Sequence, residues 1–419
     1  MISRFKNAFG ELIFNKSKLQ ISIELTIFVL FFFMFFVTMT FNYIFPWNYI
    51  NIALYSILSI AIIAWAILYK RIVIDYFFVL LVIFNLLITV SSLVNGILYF
   101  DMTVLSLTAT CFIFYQMFRY KEYRKIILHL FAVAGIFFIF IFVLRYYKDL
   151  INFDGSRIGA DFGDLNIVGY IFLYIFSCHM YLGLINRKWW YLLPAVASVI
   201  LIFVTGSRSA LIISVVVLIT SIFLFYGRKK IHYSLIISAI LISLVMIILF
   251  LPIFESMRDR LLNSIEALFS MDVINSNEPR MFLFVEGIEL SLKRPMFGYG
   301  GTLFFREYSF SGHFAHNNVM ELWFNYGFFE MLIFQILIFV PFVKIFKRRD
   351  YEKKMMLLFL ISIFLIQFFY SNYTIKIDYL VLALVHGYAN GNDSLDEAWT
   401  ISTYQELNAN LKNQISAQS

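Results

Sequence analysis

The run from Ile126 to Leu144, IILHLFAVAGIFFIFIFVL, holds one polar side chain, His129, and is closed by Lys125 on one side and Arg145 on the other. A bilayer core of roughly 30 Å needs about 20 apolar residues in a helix, and a helix satisfies its own backbone groups where no water can. The run therefore reads as a membrane span. The whole chain has this character: hydrophobic residues make up 61%, charged residues 14%, and mean hydropathy is +0.82, well outside the range of water-soluble domains. Aromatics reach 20%, with 51 Phe, which suits helices facing lipid.

Twelve such runs are expected, at about 21–45, 48–69, 72–95, 98–118, 126–146, 166–185, 189–205, 209–226, 231–251, 318–346, 355–373 and 376–389. The expected fold is an all-α polytopic membrane domain over 1–389, followed by a polar cytoplasmic tail over 390–419. Two large extracytoplasmic loops are expected, at about 146–166 and 252–317. The basic N-terminal segment runs into a span too long for a signal peptide and has no small-residue cleavage pattern, so it is read as a helix. Lys and Arg accumulate in cytoplasmic loops. With the N-terminus inside, 22 of the 33 fall there, including Arg119, Lys121, Arg124 and Lys125, and the cluster from Lys344 to Lys354. The alternation holds to the end of the chain and places both termini in the cytoplasm. The net charge of +7 is thus a topological signal, and no nucleic-acid partner follows from it. Cys111 and Cys178 both fall within spans, which indicates neither a disulfide framework nor a thiolate metal site.

Eleven basic residues remain outside, against the orientation rule: Arg145, Lys148, Arg157, Arg208, Arg258, Arg260, Arg280, Lys293, Arg294, Arg306 and Lys376. A guanidinium fork binds phosphate oxygens in a bidentate way, so a phosphorylated ligand accounts for such a concentration. For Arg258, Arg260, Arg294 and Arg306, solvated loop arginine is the simpler reading. Arg208, in FVTGSRSALI (203–212), has almost no loop to solvate it, so it must face protein or a wet cavity. The preceding Thr205-Gly206-Ser207 offers a turn and hydroxyls. In RIGADFGDLNIVG (157–169), Arg157 is followed by Asp161, Asp164 and Asn166; Asn166 is expected to cap the next helix. The aspartates match no calcium loop, and no metal or cofactor is expected.

EPRMFLFVEGIELSLKRPMFGYGG (278–301) has the apolar period of an amphipathic helix from about Pro279 to Lys293, broken at Pro295 and the glycines after it. Arg280 sits in its first turn, unfavourable for a cation unless an anion is near. In SGHFAHNNVMELWFNYG (311–327), His313 and His316 precede the tenth span. A histidine can take a proton near neutral pH, as a hydroxyl nucleophile requires. Asn317 and Glu321 share one helix face near its start, and Glu330 lies further along.

Together these stretches resemble the bacterial O-antigen ligase and polymerase family, including the Wzy-type polymerases of O-antigen, capsule and exopolysaccharide. RIGADFGDLNIVG looks like that family's Arg-Gly-Asn stretch after the fifth span, and TGSRSALI is similar to its Ser-Arg turn. PRMFLFVEGIELSLKRPMFGYG resembles its long-loop helix followed by Pro and Gly-x-Gly. HNNVMELWFNYGFFE looks like its His-Asn, nine residues, Gly motif. The likeness covers roughly Asp154 to Glu330. One departure is that Gly327 is followed by Phe328, Phe329 and Glu330, where a ligase is expected to carry a small residue or tyrosine three positions on. That favours a polymerase over a ligase.

The resemblance implies an all-helical, C-type membrane glycosyltransferase in the bacterial cytoplasmic (inner) membrane. The implied donor is an oligosaccharide on undecaprenyl pyrophosphate and the acceptor a hydroxyl of another lipid-linked unit, with membrane lipid, a chain-length regulator and a flippase as further partners. By position, Arg157, Arg208 and Arg280 would hold the pyrophosphate, with Asp164, Asn166, Ser207 and Asn317 as secondary contacts. His316, with Glu321, would be the base or would orient the acceptor. A ligase acting on a lipid or protein acceptor is the nearest alternative. A lipid-linked sugar transporter is disfavoured, because transporters keep charged and broken-helix residues near the membrane midplane, whereas these spans are almost free of charge.

Overall fold

The computed structural model describes residues 18–44, 48–70, 72–97, 102–159, 164–186, 189–226, 231–255, 258–259, 262–263, 279–301, 304–309, 315–348, 350, 352–370, 373 and 375–391. His313, Asp161, Arg260 and nearly all of the tail at 390–419 lie outside them, as do the side chains of Arg280 and Arg306. The regular structure is helical: α1 Lys18–Ile44, α2 Asn48–Tyr69, α3 Tyr76–Val94, α4 Met102–Phe118, α5 Lys121–Arg145, the short α6 Tyr147–Ile151, α7 Leu165–Asn186, α8 Leu192–Thr205, α9 Arg208–Tyr226 and α10 Ile231–Leu249. These are followed by α11 Pro279–Lys293, the short α12 Phe304–Tyr308, α13 Asn318–Tyr326, α14 Phe328–Lys347, α15 Glu352–Ile366 and α16 Lys376–Asn390. Among the described residues, six stretches are long and apolar enough to cross a membrane: Leu19–Met39 and Leu165–Leu184, with all of α3, α5, α9 and α14. Shorter apolar helices stand beside them, and the protein is a multi-pass membrane protein.

The helices at the centre are the least amphipathic in exposure. α7 buries most of its circumference and packs on α8, α9 and α15, while α16, buried almost throughout, is wedged against α4, α14 and α15. The outer helices show apolar residues to their surroundings, such as Ile60 at 67% and Ile67 at 66% exposed, which in lipid is a satisfied state.

The helix ends sort into two sets. At one, Arg124 is fully buried; it donates to the Phe118 and Arg119 carbonyls at the end of α4 (3.0 and 2.9 Å) and to Glu352 at the start of α15 (3.1 and 3.0 Å). Its guanidinium also lies 5.2 Å from the Tyr388 ring of α16. Close by in the chain, Asp75 accepts from Tyr115 and from Asn390, and Lys344 donates to Asn390 at 2.7 Å. The opposite end carries the Ser91–Asn95 terminus of α3, the α8–α9 turn and the start of α13.

One expected span is two helices. The run at 318–346 breaks at Gly327 (φ 101°), giving α13 and α14. At about 1.5 Å per residue, the 20 residues of α14 match the hydrocarbon thickness unaided, so α13 is a separate helix at the end of the bundle. Glu330 then stands in the first turn of α14 rather than deep in a span. The loop after α11 explains the break. The Tyr299 and Gly300 amides donate to the Phe324 and Asn325 carbonyls at the end of α13 (2.9 and 2.6 Å), and the Phe328 amide to the Pro295 carbonyl (2.9 Å). Irregular backbone survives at a membrane border only where protein satisfies it. The end of α3 secures this loop in turn: Ser91 donates to the Phe297 carbonyl, Ser92 to the Gly300 carbonyl (2.8 Å) and Asn95 to the Gly298 carbonyl (3.1 Å). The amphipathic helix expected from Pro279 to Lys293 is present as α11. Its apolar face packs on α13 through Leu283, Met320 and Phe324.

A side chain at Gly327 would run into the Met296 carbonyl and require a left-handed backbone. Gly327→Ala should therefore lower thermal stability in detergent by about 1 kcal/mol or more, measured by the unfolding midpoint. A midpoint equal to that of the parent protein would show that the junction tolerates displacement.

Candidate functional site

The site is built on the turn between α8 and α9. α8 ends at Thr205, and Gly206 takes a left-handed conformation (φ 63°) with its amide donating to the Phe203 carbonyl at 3.0 Å. Ser207 follows and α9 begins at Arg208. So tight a reversal leaves the last carbonyls of α8 without helical partners. The loop before α7 supplies them. Arg157 Nε donates to the Thr205 carbonyl at 3.0 Å and the Ile158 amide to the Val204 carbonyl at 3.1 Å. Arg157 lies so close across the turn that a Cβ on Gly206 would come within 2.8 Å of its Cγ. Arg157 is exposed and Arg208 half-buried, so one turn brings two guanidinium groups towards the bundle end. Before Arg157, hydrogen bonds from the Ser156 hydroxyl and amide hold the Asp154 carboxyl below its ordinary pKa, the amide at 2.9 Å from Oδ1.

The start of α7 packs on this turn. Asp164, not Asn166, caps the helix: its Oδ1 accepts from the Asn166 amide (2.8 Å) and its carbonyl from the Val168 amide (3.1 Å). The reason is that α7 begins one residue earlier than expected, at Leu165, so Asn166 is already in the first turn. There its Oδ1 accepts from Ser207 Oγ at 3.3 Å. One turn on, the Tyr170 hydroxyl and Ser209 Oγ are 2.8 Å apart.

The start of α13 completes the site. Asn317 caps the helix, its Oδ1 accepting from the Val319 and Met320 amides at 3.0 and 3.1 Å. Asn318 ties the segment to the end of α15: its amide donates to the Gln367 carbonyl (2.7 Å) and its Oδ1 accepts from the Tyr373 amide (2.8 Å). His316, half-buried before the cap, has φ 50°, a left-handed conformation that costs a residue other than glycine about 1–2 kcal/mol. Its ring lies 6.3 Å from that of Tyr370. The Tyr370 hydroxyl donates to Asp164 Oδ2 at 3.1 Å, and its ring meets the Tyr170 ring edge-on at 5.9 Å.

Arg157, Arg208, Ser207, Asn166, Asp164 and His316 are therefore gathered by one continuous set of contacts. Glu321 does not join the solvent-facing part of the set, being fully buried in the first turn of α13. Arg280 stands in the first turn of α11, on the helix packed against α13. Sequence reading missed Tyr170, Ser209 and Tyr370. The signal for Ser209 was its place beside Arg208, and for Tyr370 a polar aromatic near the end of the expected span at 355–373. Among the described residues, no group of three or more His, Cys, Asp or Glu is placed to hold a metal ion. Cys111 and Cys178 are buried and unbonded to each other.

Residues 193–335 match a family model described as O-antigen ligase. The matched span runs from α8 into α14 and takes in Arg208, Arg280 and His316, while Arg157 and Tyr370 reach the same site from outside it. No curated protein matches the chain.

Left-handed backbone at His316 has a measurable signature. His316→Gly and His316→Ala both remove the imidazole, but only glycine relieves the backbone, so the glycine variant should be the more stable by about 1 kcal/mol in thermal unfolding. Equal stability would mean that the backbone is not held in this conformation.

Proposed function

We propose that the protein is a polymerase of lipid-linked oligosaccharide repeat units on the outer face of the bacterial cytoplasmic membrane. The observation that carries this reading is the convergence of Arg157 and Arg208 on one turn, linked through Asn166, Asp164 and Tyr370 to His316. The match of residues 193–335 to a family model described as O-antigen ligase supports a membrane glycosyltransferase of this kind. In the proposed topology twelve spans cross the membrane, both termini are cytoplasmic, and the arginine-bearing end is extracytoplasmic. The polytopic unit covers 1–389, with the cytoplasmic tail after it. The excess of Lys and Arg at the other end supports this orientation.

In the reaction proposed, a sugar hydroxyl of one undecaprenyl-pyrophosphate-linked unit attacks the anomeric carbon of the glycan on another. The new bond joins the acceptor oxygen to that carbon. The bond from the carbon to the phosphate oxygen breaks, and the pyrophosphate leaves with the electron pair. His316 takes the hydroxyl proton as general base, a role worth about 10²–10⁴ in rate. Arg157, Arg208 and Arg280 neutralise the charge that develops on the leaving group, so fixed guanidinium groups do the work a divalent cation does elsewhere. Single displacement inverts the anomeric carbon. Asp164, Asn166, Ser207 and Asn317 order the segments that carry these groups, and Glu321 supports the start of α13 from within. A chain-length regulator and a flippase are proposed partners. The glycan would belong to an O-antigen, a capsule or an exopolysaccharide.

The matched family's description favours a second reading, a ligase that moves the finished glycan to a lipid or protein acceptor. The two separate when purified protein is incubated with a defined undecaprenyl-pyrophosphate repeat unit alone and the products are sized. A ladder spaced by one repeat is the expected outcome; unchanged substrate that is consumed only when a second acceptor is added would establish the ligase.

Arg157→Ala, Arg208→Ala and Arg280→Ala should each slow product formation by about 10²-fold or more while the protein still inserts. His316→Ala should do the same. Normal chain length in all four would overturn the site. Chelation by EDTA should leave the rate unchanged, and a loss restored by magnesium or manganese would return attention to Asp161 and Asp164.

A further inference from the structure

We infer that Tyr370 is a positioning residue, which sets His316 against the arginine-bearing turn by bracing the imidazole on the start of α7. The inference rests on the reading of His316 as proton acceptor. Three observations carry it.

Tyr370 is held at both of its ends. Its hydroxyl donates to Asp164 Oδ2 at 3.1 Å, and the other oxygen of that carboxylate caps α7 at 2.8 Å. Its ring packs edge-on against Tyr170 at 5.9 Å. The Tyr170 hydroxyl is 2.8 Å from Ser209, which follows Arg208 directly. Both anchors thus belong to the arginine-bearing side.

The His316 ring packs on this braced tyrosine, with centroids 6.3 Å apart and planes inclined by 50°. Aromatic contacts of this kind restrict the rotamers of a half-exposed side chain and add to its burial.

The backbone reinforces the side chain. The turn at the end of α15 that presents Tyr370, with its amide on the Ile366 carbonyl at 2.9 Å, also offers the Gln367 carbonyl to the Asn318 amide at 2.7 Å. One turn therefore clamps the chain two residues after His316 and packs its Tyr370 ring, tilted, against His316 itself. A tyrosine serving only as an interfacial anchor turns its hydroxyl to headgroups and water. Here the hydroxyl is directed to a helix-capping carboxylate.

The test reads His316 directly as well as through the reaction. Purified full-length protein in lipid nanodiscs is treated with diethyl pyrocarbonate, and modification of His316 is followed by mass spectrometry. Loss of one aromatic partner in Tyr370→Leu should raise the modification rate about threefold to tenfold, while Tyr370→Phe, which keeps the ring and loses only the hydroxyl anchor, should raise it no more than about twofold. With the lipid-linked repeat unit as substrate, Tyr370→Leu should lose about tenfold or more in kcat with KM changed by less than about twofold, the mark of an interaction expressed in the transition state. Tyr370→Phe should recover most of that loss. If Tyr370→Leu does not fold, Asp164→Asn, which weakens the hydroxyl anchor and leaves both rings in place, should raise His316 modification about twofold by loosening the same contact.

Unchanged His316 modification in the folded variant overturns the inference, and so does a rise in KM with kcat intact, which would make Tyr370 a substrate contact. If modification changes as expected but the parent protein makes no product from any lipid-linked glycan, the positioning stands and the proposed reaction falls.

Discussion

The arrangement depends on how the reversal between α8 and α9 satisfies its backbone. A helix that ends at a membrane border exposes carbonyls that hydrocarbon cannot solvate, and a two-residue turn leaves no room for water to do so. Arg157 and the Ile158 amide answer two of those carbonyls, Thr205 and Val204. A cation at a helix C-terminus is also favoured by the helix dipole. The same bond therefore stabilises the end of α8 and brings an arginine to the turn where α9 presents Arg208. Structural and functional readings of Arg157 are not in competition here: the carbonyl holds one edge of the guanidinium in place.

The second arm follows the same logic. The break at Gly327 frees backbone groups at the end of α13, and the loop after α11 pairs with them, while the hydroxyls and amide of Ser91, Ser92 and Asn95 on α3 hold that loop in place. α13 is thereby fixed as a short, largely buried helix at the end of the bundle. At its N-terminus Asn317 caps and Asn318 clamps to α15. The left-handed conformation at His316 is what remains when both neighbours are so determined. Its cost is set against four hydrogen bonds made by the two residues that follow.

At the opposite end Arg124 does for α4 what Arg157 does for α8, donating to terminal carbonyls, but it is wholly buried and paired with Glu352. Removing one partner of such a pair strands a charge. The two ends thus use arginine in different settings. The buried one holds helices together, while the exposed Arg157 and the half-buried Arg208 stand at one turn between helices.

Much was legible in the sequence, because in a membrane the solvent imposes length and composition on each helix. The apolar runs, the charge alternation, the helix from Pro279 to Lys293 and the turn at Gly206 all follow from local rules. The prominence of Arg157, Arg208 and His316 followed from polar groups standing at the edges of those runs. Local rules also misled. A long apolar run at 318–346 looked like one helix, since composition does not register a glycine that must leave room for a distant carbonyl. The cap of α7 moved from Asn166 to Asp164 because the helix starts at Leu165, two residues before the start that a cap at Asn166 requires, which changes the side chain that faces the orphan amides. Glu321 looked available near a helix start and is buried, because burial on α13 depends on α11 and α3. Tyr370 stands more than 200 residues from Asp164 and more than 50 from His316, and no spacing rule connects them. The sequence by itself determined that this chain lives in a membrane, since hydrocarbon thickness acts on each segment alone. Only the tertiary structure decided that Tyr370 joins the arginine turn to His316, because that contact exists only once α7, α9, α13 and α15 are packed end to end.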